Sequence, residues 1–145
     1  MELSCKTEYA LLALLELAAH YKEGRLLQIR QIAEMQNIPD RYLEQLLATL
    51  RRCGLVRSQR GAKGGYLLAR EPSTISLLDV IWCLEGSDSK ASKSEKKSTT
   101  LEGSIVEEIW QEVQDRANDV LREYTLQDLW EKRNSRQQLD IMYYI

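Results

Sequence analysis

One histidine, His20, stands in the whole 145-residue sequence. There is no Ser-His-Asp set and no phosphate-binding glycine loop, so general acid–base chemistry has few candidates and an enzyme is the least supported class of function. No apolar run is long enough to cross a bilayer and nothing resembles a signal peptide, so no membrane partner is expected. The three cysteines, Cys5, Cys53 and Cys83, are odd in number and widely scattered. That pattern argues against a disulfide scaffold and fits a reducing cytoplasm; Cys83 reads most simply as a small buried hydrophobe. His20 falls near the end of the first predicted helix, where the C-terminal dipole favours an imidazole, a simpler role than metal ligation.

What the chain does contain is division of charge. An apolar content of 43% in 145 residues supports one globular domain, or a small domain with an extension. The net charge of −2 is an average over unlike parts. Between Arg41 and Tyr66 lie six basic residues and one acidic one, whereas residues 101–145 hold ten acids against five Lys and Arg. The acidic part is expected to face away from any polyanion or toward a partner.

The basic stretch has a recognisable order. Ile29, Ile32, Ala33 and Met35 fall at helical spacing. Asn37-Ile38-Pro39-Asp40 breaks that helix and starts another, with Pro39 favoured at the start and Asp40 suited to the positive end. Leu43, Leu46, Leu47 and Leu50 form the apolar stripe of the second helix, which Gly54 ends. Two short helices and a tight turn predict a helix-turn-helix. Residues 55–60 and 65–69 then read as strands joined by Gly61-Ala62-Lys63-Gly64-Gly65, a glycine-rich hairpin tip. A hairpin directly after a helix-turn-helix is a wing. Solvated charges alone would explain a basic run, but a basic second helix with a basic glycine-tipped hairpin is the footprint of a DNA reader. The candidate contacts to double-stranded DNA are Gln28, Arg41, Tyr42, Glu44, Gln45, Arg52, Arg60 and Lys63.

Residues 3–21 predict a helix apolar over most of its circumference, closed by Gly24 and buried on more than one side. After the wing, Ser76-Leu77-Leu78-Asp79 is a capping box opening a short helix with Leu77, Val80, Ile81 and Leu84 inward, closed by Gly86. Residues 87–100 carry five Ser and four Lys and no large apolar residue, the composition of a flexible connector or exposed loop. Residues 101–124 predict a long helix. Val106, Trp110, Val113, Ala117, Val120 and Tyr124 are spaced as a heptad seam, expected to pair two subunits. Thr125-Leu126-Gln127-Asp128 opens a further short helix, with Leu129 and Trp130. The last residues, 139–145, are an apolar tail expected to dock on the dimer.

The fold class is therefore mainly α: a winged helix-turn-helix over residues 1–86, a linker or loop over 87–100, and a C-terminal dimerisation helix with its tail over 101–145. These residues resemble the IscR, NsrR and CymR type of bacterial winged-helix regulators, the Rrf-two family. The resemblance runs from Lys6-Thr7-Glu8-Tyr9-Ala10 through Ile32-Ala33 and Ile38-Pro39. It is densest at Tyr42-Leu43-Glu44-Gln45-Leu46, Gly54-Leu55-Val56 and Arg60-Gly61 to Gly64-Gly65-Tyr66. It implies a homodimer on partly palindromic promoter DNA, usually repressing. It also implies that Glu44 and Gln45 reach base edges, which suits carboxylate and amide chemistry, and that Arg60 contacts DNA from the wing.

The family's iron, nitric oxide and redox sensors carry three close cysteines after the short helix, ligating an iron–sulfur cluster. Residues 87–100 here hold no Cys or His, and a cluster needs about four mostly thiolate ligands. No metal site or cofactor is expected. The end of the chain, with Leu84-Glu85-Gly86, Thr125-Leu126-Gln127-Asp128-Leu129 and the Tyr-rich tail, looks more like the cluster-free cysteine-metabolism repressor branch. That similarity implies control by a metabolite or by a protein partner such as a metabolic enzyme. Two rival functions stay open: a redox or iron sensor with an unusual cluster, and a winged helix used as a protein-interaction module.

Overall fold

Ser4 opens the first helix, its hydroxyl accepting from the Thr7 amide at 3.2 Å and so satisfying one of the amides that a helix start leaves without a partner. The computed structural model describes residues 3–92 and 99–143. Helix α1 spans Cys5–Ala19, α2 Ile29–Gln36 and α3 Asp40–Arg52. Strands β1, Val56–Gln59, and β2, Gly65–Leu68, pair antiparallel from Val56 opposite Leu68 to Gln59 opposite Gly65. A short 3-10 turn, Pro72–Thr74, leads into α4, Leu77–Ser92, followed by α5, Leu101–Glu123, and α6, Leu126–Tyr143.

One core joins these elements. Ala10, Ala13, Leu14 and Leu17 of α1 bury against Ile32, the α3 leucines, the hairpin's Val56 and Leu68, and Val80 and Leu84 of α4. Helix α1 carries buried residues on several sides, as its broad apolar face requires. It also buries Glu16, whose carboxylate accepts from Gln36 Nε2 of α2, so the charge has a partner. Leu126 is fully buried in the same core with Leu129 packed on it, which ties the start of α6 to α1. His20 caps α1, with Nδ1 3.8 Å from Glu23.

Both predicted capping boxes form. The Ser76 hydroxyl accepts from the Asp79 amide and the Asp79 carboxylate from the Ser76 amide, each at 3.1 Å. Thr125 and Asp128 repeat the exchange at 3.2 and 2.9 Å. The two box residues also face each other: Leu77 N–H donates to Tyr124 O at 2.9 Å, and Leu126 N–H to Ile75 O at 3.0 Å, in an antiparallel bridge between Ser76 and Thr125.

Several expectations need correction. Met35 is exposed, because α2 is short and only Ile32 and Ala33 face inward. Gly86 does not close α4, which continues to Ser92; a mid-helix glycine costs only about 1 kcal/mol, and the Ser, Lys and Ala that follow are no breakers. The connector expected over 87–100 is thus helical in its first part, and residues 93–98 lie outside the described ones. In α4 the fully inward residues are Leu78, Val80 and Leu84, with Leu77 half-buried. The helix after Thr125 is not short but has 18 residues, and it takes in the apolar tail as far as Tyr143, residues 144 and 145 lying outside the described ones. Leu139, Ile141 and Met142 are exposed there on the single chain. Finally, Cys53 and Cys83 are joined in a disulfide, with Cα atoms 6.0 Å apart. The shared core of Leu50, Val80 and Leu84 brings α3's end onto α4, an approach that spacing in the sequence does not encode.

Candidate nucleic-acid interface

The turn between α2 and α3 is set by Asn37, which adopts the left-handed conformation at φ 54° and ψ 48°. Its short polar side chain makes it one of the few residues other than glycine to visit that region readily. Ile38 then buries into the core, anchoring the corner, and α3 starts at Asp40 after Pro39. With Leu43, Leu46, Leu47 and Leu50 buried, the other face of α3 is exposed at Arg41, Glu44, Gln45, Arg51 and Arg52.

Not every candidate on α3 has the same freedom. Tyr42 is half-buried, its ring edge-on to Tyr9 with centroids 5.5 Å apart and planes at 77°; it braces α3 on α1. Arg52 donates to Thr49 Oγ1 at 3.3 Å and Arg51 to Ser58 Oγ at 3.1 Å, linking α3 to β1. Arg57 donates to Ala69 O at 3.2 Å across the hairpin. Arg41, Glu44, Arg60 and Lys63 are exposed, and no hydrogen bond or ion pair engages their side chains among the described residues. Their charge faces solvent.

The wing is fixed relative to the helices by contacts that the sequence does not announce. Leu27 and Tyr66 form a bridge, with Leu27 N–H donating at 2.9 Å and Tyr66 N–H at 2.7 Å. Gly65 makes this possible: a Cβ there would meet Leu27 O at 2.7 Å. At the tip a Cβ on Gly64 would lie 2.1 Å from Gln59 O. Gln28, at the N-cap of α2, donates from Nε2 to Ala62 O at 3.3 Å, strapping the hairpin tip to the helix-turn-helix. Gln28 is thus committed to the wing through one donor. Its proximity to the tip had no sequence signal, since 34 residues separate the two.

The remaining candidates lie on α5 and the residue after it. Val106, Trp110 and Val120 are more than half exposed, Val113 and Tyr124 are exposed, and Ala117 is half-buried; none of α5 is buried. The chain's own core does not cover this stripe. Exposed Trp82 of α4 adds an apolar residue outside it that sequence periodicity did not single out. The three cysteines do not converge: Cys53 and Cys83 are bonded together, and Cys5 is exposed at the start of α1. Among the described residues no group of three or more His, Cys, Asp or Glu is placed to hold a metal, and no helix is long and apolar enough to cross a membrane.

Comparison with known proteins places this geometry. The family described as iron-dependent transcriptional regulator, Rrf2, matches residues 3–132. The HTH-type transcriptional regulator CymR of Bacillus subtilis (strain 168) is 38% identical over 143 residues, covering 99% of each chain. Among solved structures, T. potens IscR superposes with a TM-score of 0.79 at 37% identity, over 94% of this chain and 91% of that one. The structure of CymR (YrzC), the global cysteine regulator of B. subtilis, gives 0.76 at 36% identity, over 91% and 98%. The relatives are named regulators, not enzymes.

Proposed function

Since the chain belongs to the Rrf2 family of DNA-binding transcriptional regulators, we propose that it acts as a homodimeric repressor on a near-palindromic promoter site in the cytoplasm. The observation that carries this reading is the pairing of two uncovered surfaces: the solvent-facing Arg41, Glu44, Gln45, Arg60 and Lys63 of α3 and the wing, and the apolar stripe of α5. Exposed base-reading and phosphate-binding groups suit the duplex. An apolar stripe of that length in water calls for a second copy, and two copies present two reading heads to a two-fold site. Titration of the purified protein against duplexes selected from random oligonucleotides tests it: the selected sites should be near-palindromes, and selection of unrelated or non-repeating sequences would refute the reading.

The protein works without an iron–sulfur cluster in this proposal. A cluster takes about four ligands, mostly thiolates, whereas the sequence holds three cysteines and Cys5 stands apart from Cys53 and Cys83. Its signal is then a metabolite or a protein partner. A cavity of 430 Å³ between the end of α1, the 3-10 turn and α6, lined by Tyr21, Lys22, Glu71, Gln127 and Trp130, has the volume of a small-molecule site. A second reading, a cluster held by unusual ligands, is favoured by the family's iron-dependent description, and iron and sulfide analysis distinguishes the two.

A further inference from the structure

Cys53 caps the C-terminal end of α3, and Cys83 lies on α4. Cys53 is exposed and Cys83 half-buried. Each sulfur also lies beside a main-chain carbonyl: Cys83 Sγ is 3.7 Å from Thr49 O in α3, and Cys53 Sγ is 3.8 Å from Cys83 O in α4. Those carbonyls are within reach of the S–H groups that a reduced pair would carry. Cys5 stands apart at the start of α1.

We propose that Cys53 and Cys83 form a reversible redox-modification site, closed by hydroperoxides, that clamps the end of the reading helix to α4 and thereby tightens DNA binding. The DNA consequence rests on the function proposed above; the thiol chemistry does not. A chain that works on DNA does so among cellular reductants, where a disulfide is usually transient and serves sensing or catalysis rather than scaffolding. Exposure assigns the roles. The Cys53 thiolate attacks one oxygen of the hydroperoxide, the O–O bond breaks, an alcohol or water leaves, and a sulfenic acid forms. Cys83 then attacks that sulfur, the S–O bond breaks, the S–S bond forms, and water leaves. Two thiols lose two electrons and the hydroperoxide gains them. Exchange with a small dithiol reverses the closure. The bond sits one residue beyond Arg52 and joins the reading helix to the α4–α5 arm. Closure therefore removes freedom that binding would otherwise have to remove, a gain through pre-organisation.

The full chain, reduced with dithiothreitol and freed of it, is treated with hydrogen peroxide. Titratable thiols should fall from the three of the sequence to a single one, and peptide mapping should find Cys53 joined to Cys83. Affinity for a duplex selected from random oligonucleotides by the reduced protein should rise on the order of fivefold and return with dithiothreitol. Cys53→Ser and Cys83→Ser should keep the reduced affinity and lose the response, Cys83→Ala serving should the serine variant misfold; Cys5→Ser should respond as the wild type. Three surviving thiols, or a cross-link through Cys5, would overturn the site. Closure of the Cys53–Cys83 bond with unchanged affinity would overturn its coupling to DNA. If neither form selects any duplex, the DNA-binding reading fails, while the thiol count still decides the modification site.

Discussion

In the proposed complex Gln45 and Arg60 represent two kinds of contact, and their substitution should separate them. Gln45 is exposed in the first half of α3, opposite the buried leucines. Gln45→Ala should lose on the order of 1–3 kcal/mol on the cognate site and flatten preference at one base pair per half-site, as read from titrations on single-base variants. Arg60→Ala should weaken all sequences alike and reduce the slope of log affinity against log salt by about one; a loss greatest on A·T-rich flanks would place it in the minor groove instead. Gly64→Ala puts a Cβ against the Gln59 carbonyl. It should cost on the order of 1–3 kcal/mol in urea denaturation, and an unchanged midpoint would contradict this account of the wing tip. At this scale the sequence was informative wherever a residue's role is local. The α3 leucines at helical spacing and the Asn37 turn are of that kind. Met35 was misplaced because eight residues give a helix too few turns to define its inward face, and the Gln28 strap to Ala62 depends on a distant hairpin.

Among the elements, helix starts were legible, and so were the ends of α2 at Asn37 and of α3 at Gly54, but the ends of α4 and α6 were not. A capping box is written in four consecutive residues, so Ser76 and Thr125 marked α4 and α6 correctly. Nothing equally local stops them: Gly86 sits inside α4, and α6 runs on into the apolar tail. The Cys53–Cys83 bond was hidden for a related reason, since only core packing brings two segments 30 residues apart together. Helix α5 supplies the sharpest test at this scale. Val113 lies mid-stripe and is exposed on the single chain. Val113→Asp should leave the monomer folded while placing an unpaired charge in the seam at a cost of several kcal/mol. Sedimentation should then show monomer at concentrations where the wild type is dimeric; an intact dimer would mean that the seam lies elsewhere.

For the whole molecule, the split between a basic head and an acidic C-terminal part was readable from composition, and in the proposed complex it turns α3 and the wing toward phosphate and α5 and α6 away. A dimer so oriented should set its reading helices in successive major grooves about 34 Å apart. Protein prepared with and without air should be colourless and bind the same duplexes alike after equal reduction, as absorption spectra and titrations would show; stoichiometric iron and sulfide would overturn the cluster-free proposal. What composition did not reveal is how the two parts are joined. Ser76 and Thr125 meet in one bridge; between them α4 stays on the core through Leu78, Val80 and Leu84, whereas α5 buries no residue. A helix so uncovered can change in length without disturbing the buried core. One residue inserted within α5 would advance its far part by about 1.5 Å and turn the stripe by about 100°, whereas a whole heptad would restore its facing. In the proposed dimer the distance between half-sites thus becomes a heritable dimension of its own, able to drift or be selected independently of the bases assigned there to Gln45.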